Sequence, residues 1–275
     1  MKTPCVFVTG IWKSGNHLVY SALNELGIEG PFNGIAAHLI YGRFSMAKRL
    51  LRGSTQGIDI GLETEVRIRP SYIQYTVRKL RGRILGGHAA YSPELVALMR
   101  SEGARMIVIR RDPRDMLISF ADWIESRPDN YLYAEFGSLS REHRVAKLLH
   151  GDRARRIRPF AEVLARSEGW LSEAGDVLVI NFEDLVGPKG GGTIRRQATA
   201  LRQLCDHLGR AMPGGLEWID RIYGNSLTFN QGQVQRWLEL QSPELKTEIA
   251  DLLAEPMRRW GYAPDFEDFS REQEQ

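Results

Sequence analysis

The chain has 275 residues, 43% hydrophobic and 26% charged, with a formal net charge of +3. That length can bury a substantial core in one α/β domain, and so mild a charge does not by itself point to nucleic acid. No apolar run approaches the roughly 20 residues of a bilayer span, and the start Met1-Lys2-Thr3-Pro4 shows no signal-peptide pattern, so a cytoplasmic location is expected.

Taken in chain order, residues 5–9 read as a buried strand. The next segment, Thr9-Gly10-Ile11-Trp12-Lys13-Ser14-Gly15-Asn16-His17, runs into a helical pattern over 16–26 (Leu18, Tyr20, Leu23, Leu26). A strand, a small-residue turn with a lysine and a helix start together make an anion-binding loop. Unpaired N–H groups and the helix dipole point into the turn, and Lys13 adds a full charge. The loop departs from the nucleotide pattern G-x-x-x-x-G-K-[ST], because no glycine stands directly before Lys13.

The stretch 43–83 holds ten Lys/Arg against Asp59, Glu63 and Glu65. Solvated charge on an insertion is the favoured reading, with a basic mouth for an anionic acceptor as the other. Further strands are read at 83–85, 105–109 and 176–180, and helices at 93–102, 113–125, 141–168, 195–208 and 243–260. Ser92-Pro93-Glu94 and Ser242-Pro243-Glu244 are capped helix starts. Gly187-Pro188-Lys189-Gly190-Gly191-Gly192 reads as a flexible loop. The two cysteines, Cys5 and Cys205, read as reduced core thiols. Short apolar strands alternating with helices define a central parallel sheet flanked by helices, and ligands bind such sheets beyond the carboxyl ends of the strands. That edge gathers Lys13, Arg110-Arg111 and the 181–184 segment.

The 105–120 stretch is a second strand, turn and helix, with Arg111 at the strand end, Pro113 in the first helical turn and Ser119 two turns on. Arginine and serine spaced so can face one anionic group.

These two segments resemble the motifs of sulfotransferases that use 3′-phosphoadenosine 5′-phosphosulfate (PAPS). Residues 9–17 resemble T-Y-P-K-S-G-T-T-W, with Lys13-Ser14-Gly15 in register. Arg111, Asp112, Pro113, Arg114, Asp115 and Ser119 resemble R-N-P-[KR]-D-x-x-x-S. The strand before Phe182-Glu183-Asp184 resembles the one that ends in Y-E-D. Gly86-Gly87-His88 resembles the segment with the catalytic histidine, and 229–237 the late F-R-K-G-x-x-G-x-W loop. Asn16-His17 stands in place of Thr-Thr, and Asn230-Gln231 in place of Arg-Lys.

The resemblance implies a three-layer, P-loop-like α/β fold forming a single domain over 1–265, with 31–82 as a variable acceptor-side insertion and 266–275 as a polar tail. It implies transfer of a sulfuryl group from PAPS to a hydroxyl acceptor, leaving 3′-phosphoadenosine 5′-phosphate, without a metal. Lys13 and His88 would be catalytic. Lys13, Ser14, Gly15, Asn16, His17, Arg111, Ser119, Phe182, Asn230, Gln231 and Gly232 would hold the donor. Glu63 and Glu65 compete with His88 as base. A P-loop kinase and a non-catalytic nucleotide binder are the alternative functions. The acceptor, a glycan, lipid or small natural product, has no readable code; Tyr41, Phe44, Tyr72, Tyr75, Trp123, Tyr131 and Tyr133 are aromatic candidates for its pocket. No nucleic-acid partner is expected, and oligomeric state is unreadable.

Overall fold

The computed structural model describes residues 3–30, 53–62, 65–129, 132–152, 157–173, 175–214, 217–223 and 232–264. Its centre is a four-stranded parallel sheet of β1 (Val6–Thr9), β4 (Ile84–Gly87), β5 (Arg105–Arg110) and β6 (Val177–Asn181), in the order β4-β1-β5-β6. Val6 sits opposite Ile84 and Arg105, and Arg110 opposite Asn181, so the strands end together at one edge.

Both faces of the sheet are buried, for reasons visible in the strands. In β1, Val6 and Val8 join one core with Leu18, Val19 and Leu23, while Phe7 joins the other with Leu85, Leu95 and Trp170. In β5, Ile107 and Ile109 face the first core and Met106 and Val108 the second. A period of two with apolar residues in both phases is the pattern of a doubly covered strand. A third core gathers Trp12, Phe120, Phe160, Trp237 and Trp260 beyond the strand ends.

The expected strands and most expected helices are present within a residue or two: α1 (Asn16–Glu25), α3 (Pro93–Ser101), α4 (Pro113–Glu125), α9 (Ile194–Leu208) and α11 (Pro243–Arg259), with α5 (Tyr133–Phe136), α8 (Phe182–Leu185) and α10 (Glu217–Ile222) as short helices between them. Two expectations are corrected. The helix expected over 141–168 is two, α6 (Arg141–His150) and α7 (Phe160–Ser172). Gly151 ends the first at φ +72°, where a Cβ would lie 2.4 Å from the Pro159 nitrogen, and Pro159 caps the second. The glycine-rich 187–192 segment is packed rather than loose. It contains a 3₁₀ turn at Pro188–Gly190, and Gly190 is buried with its carbonyl accepting from the Val234 N–H at 3.0 Å. A Cβ at Gly190 would meet the Gly232 oxygen at 2.4 Å, so glycine serves close approach there.

The region read as an insertion also carries unforeseen structure: β2 (Gly53–Asp59) pairs antiparallel with β3 (Arg67–Ile68), and α2 (Pro70–Lys79) follows. The Asp59 carboxylate accepts from the Gly61 and Val66 N–H groups at 3.1 and 3.0 Å and from Arg166 at 2.6 Å. The Ile60 carbonyl accepts from Ala90 at 2.9 Å, which fixes this hairpin beside the end of β4. Among its described charges, Arg67 pairs with Glu65, and Arg78 and Arg81 with Glu102.

Candidate active site

α1 begins without a side-chain cap, as do α2 at Arg69 and α7 at Pro159. α3, α4, α6, α9 and α11 are each capped by a side chain, from Ser92, Asp112, Ser140, Thr193 and Ser242. α1 starts on Gly15, whose φ is +108°, with no side-chain cap. Its first N–H groups therefore remain available to an external acceptor. Lys13 also has a positive φ of +64°, a conformation that costs a non-glycine residue of the order of 1 kcal/mol and points to a function held in place by its surroundings. Ser14 Oγ braces the turn by donating to the Ile11 carbonyl at 2.6 Å. Side chains would not fit in place of the glycines. A Cβ at Gly10 would meet Ile109 O at 2.6 Å, and one at Gly15 would meet Phe182 Cδ2 at 2.5 Å.

The second basic group sits directly against this turn. Arg111 is buried, donates to the Lys13 carbonyl at 3.2 Å and to the Gln233 carbonyl at 2.5 Å, and lies 3.5 Å from Asp115. Its guanidinium covers the Phe182 ring at 4.3 Å. Arg111 Nε is buried without a hydrogen-bond partner, a costly state for a donor unless a ligand completes it. Ser119 is buried two helical turns along α4.

Lys13 sits in a strongly positive, desolvated place. Its Nζ lies 5.7 Å from the Trp123 ring centre. Burial, and then repulsion from Arg111 and Arg236, pushes its ammonium down to about 7, with Asp122 opposing. Asp122 stays ionised: burial works against its charge, but hydrogen bonds from Arg141 and Arg236 pull its carboxyl below the usual range. Trp12 stacks on Phe120 with ring centres 4.0 Å apart, and this aromatic packing anchors the base of the lysine turn.

His88 reaches the same turn from the end of β4. Thr9 Oγ1 accepts from the Ala89 N–H at 3.0 Å, and the Ala89 carbonyl accepts from Trp170 Nε1 at 3.1 Å, so the residue after His88 is held firmly. His88 Nδ1 lies 2.7 Å from the Gly10 carbonyl. A carbonyl can only accept, so Nδ1 carries the hydrogen and Nε2 the lone pair. Burial pushes the His88 imidazolium down, the Gly10 contact opposes this, and Lys13 adds to it, so the ring is neutral at physiological pH. His17 is pushed down to about 4 by burial, then by Lys13 and His88.

Lys13, Ser14, Gly15, Asn16, His17, His88, Arg111 and Phe182 are thus gathered at one edge, with Ser119 on the adjoining helix and Gly232 on the loop that Arg111 contacts through Gln233. Asn230 and Gln231 lie outside the described residues, as do Glu63, Tyr41, Phe44 and Tyr131. Glu65 is exposed and paired with Arg67. Sequence reasoning missed the braces. Asp115 accepts from the Gln235 and Trp237 N–H groups at 2.8 and 3.1 Å, and Arg114 stacks on Trp237 at 4.2 Å. Glu183 accepts from the Asp112 N–H at 2.8 Å and the Tyr262 hydroxyl at 2.9 Å. Both acids stand inside the motifs already quoted, but their partners are distant in sequence. Among the described residues no cluster of histidine, cysteine and acid side chains is arranged to hold a metal, and no helix is long and apolar enough to cross a membrane.

No family model matches the chain, and no curated protein does. Among solved structures, mouse sulfotransferase SULT7A1 complexed with PAP is similar with a TM-score of 0.58 at 15% identity, over 93% of this chain and 85% of that one. The sulfotransferase domain from the curacin biosynthetic pathway is similar with a TM-score of 0.51 at 14% identity, over 95% of this chain and 99% of that one. The fold is that of the sulfotransferases: α/β, with a central parallel sheet flanked by helices.

Proposed function

We propose that the chain is a PAPS-dependent sulfotransferase acting on a hydroxyl acceptor. The observation that carries this reading is the direct contact of its two basic turns. Arg111 bonds the carbonyl of Lys13 itself, so cationic pockets from β1 and β5 lie side by side on a fold shared with a sulfotransferase complexed with PAP. A doubly phosphorylated adenosine carries charge at two separated points and suits two such pockets. The residues fit this guest: uncapped N–H groups at Gly15, glycines that admit close approach, and a buried arginine nitrogen without a partner.

Bound there, the donor supplies an electrophilic sulfur whose transfer places charge on the leaving bridge oxygen. Lys13 would compensate that charge, and the backbone from Ser14 to His17 would hold the 5′-phosphate. Arg111 and Ser119 would hold the 3′-phosphate. Neutral His88, with its lone pair on Nε2, would accept the proton of the attacking hydroxyl. The half-buried ring of Trp123 beside Lys13 offers a surface for the acceptor.

The reading is tested by incubating the protein with labelled PAPS and a panel of sugar, lipid, phenol and natural-product hydroxyls. Labelled sulfate ester is expected on at least one class, and not with Lys13→Ala. Magnesium-dependent ATP turnover would favour a kinase, and donor binding without transfer across the panel a non-catalytic binder.

A further inference from the structure

Asn16 occupies a position whose contacts cannot all be satisfied as they stand. It is only 4% exposed. Its Nδ2 lies 3.1 Å from His88 Nδ1 and 3.5 Å from the Gly10 carbonyl, while its Oδ1 is buried without a hydrogen-bond partner. The short contact decides the protons. At 2.7 Å from the Gly10 carbonyl, His88 Nδ1 must be a donor. An amide N–H₂ group facing that same N–H would set hydrogen against hydrogen. The two ends of an asparagine amide have nearly the same shape, and the network assigns them. Turning the amide over gives up the long 3.5 Å contact of Nδ2 with the Gly10 carbonyl and puts Oδ1 against Nδ1–H at the shorter distance, where it accepts the second branch of a shared hydrogen bond. The N–H₂ group then takes the place of the partnerless oxygen, at the first residue of α1. A buried donor pair at an uncapped helix start requires an acceptor.

We propose that Asn16 is a positioning residue bridging the two halves of the site: its amide oxygen holds the His88 ring through Nδ1–H, and its amide N–H₂ reaches a phosphoryl oxygen of the ligand in the loop. Filling the loop fixes the amide, and the amide fixes the ring with Nε2 towards the acceptor side. Among the described residues, the titratable groups that act on the ring are Lys13 and His17. The phosphoryl half rests on the sulfotransferase reading; the histidine half does not.

Two variants separate the halves. Asn16→Asp keeps an oxygen for Nδ1–H but presents negative charge to a phosphate. Asn16→Thr keeps a donor for phosphate but is too short to hold the ring. Binding of 3′,5′-adenosine bisphosphate by calorimetry should weaken at least about tenfold in Asn16→Asp and stay within about threefold in Asn16→Thr. In Asn16→Thr, kcat should fall about tenfold with little change in donor KM, and the acid limb of the pH–rate profile should move to lower pH, because the ring loses an acceptor that favours its charged form. Nitrogen-15 spectra of the free protein should show His88 protonated at Nδ1 in the wild type and in Asn16→Asp, with its titration lower in Asn16→Thr. Wild-type kcat and an unmoved acid limb in a folded Asn16→Thr protein would overturn the proposal, as would protonation of wild-type His88 at Nε2. If wild-type protein binds the bisphosphate no better than AMP, the donor reading fails instead, and the nitrogen spectra still decide the histidine half.

Discussion

At Lys13 opposing effects meet on one ammonium group: loss of water and then repulsion from Arg111, Arg236 and Arg127 push its charge off, while Asp122 holds it on. The result is a cation held near half charge at neutral pH. A dianionic ligand restores the charge. Binding of 3′,5′-adenosine bisphosphate near pH 8 should therefore take up close to one proton, read as a dependence of calorimetric enthalpy on buffer ionisation heat. Lys13→Met should abolish the uptake; an unchanged uptake would move the protonation elsewhere. Lys13→Ala should lower kcat by roughly a hundredfold or more, since it removes charge compensation in the transition state. Arg111→Ala acts differently. It removes a cation that bonds the Lys13 carbonyl and that we propose holds the 3′-phosphate, so the bisphosphate Kd should rise at least about tenfold in a protein that still folds.

At the scale of elements, the site depends on three turns being brought together. Gly15→Ala tests the first. The substitution forces a Cβ against Phe182 at a backbone angle that L residues rarely adopt. It should destabilise the protein by about 1–3 kcal/mol and weaken bisphosphate binding, read by denaturant unfolding and calorimetry. Much of this was legible in the sequence because it is local. The strand–turn–helix of residues 6–25, the Arg111 turn and the capped helix starts are each written within one short stretch of sequence. What was not legible is what spans the chain. Asn16 meets His88 across 72 positions and Asp115 meets Gln235 across 120; no periodicity records such pairs. The β2–β3 hairpin was missed because Gly-Ser-Thr-Gln-Gly-Ile-Asp shows neither alternation nor an apolar run. The 187–192 glycines were misread because close approach and mobility call for the same residue.

For the whole molecule, function is set against stability. A lysine with its pKa lowered from 10.5 to about 7 in the folded state binds fewer protons there than in the unfolded chain between those pH values. Stability therefore rises with pH across that window, and the cost of burying the charge is present in full below about pH 7. Lys13→Met should raise stability near pH 6 by about 1–2 kcal/mol, after discount for partial exposure, with the gain shrinking towards pH 10. A gain that does not vary with pH would assign it to packing instead.

Two cationic turns adjoin through the Arg111–Lys13 contact, and we propose that together they grip one nucleotide phosphorylated at both its 3′ and 5′ positions. The most direct measurement is the melting temperature in the presence of 3′,5′-adenosine bisphosphate, AMP or ATP at equal concentration, because a ligand that binds only the folded state raises its stability. The bisphosphate should raise Tm by several degrees, AMP and ATP much less, and Arg111→Ala should erase the difference. Equal shifts from all three, or none from the bisphosphate, would contradict the account.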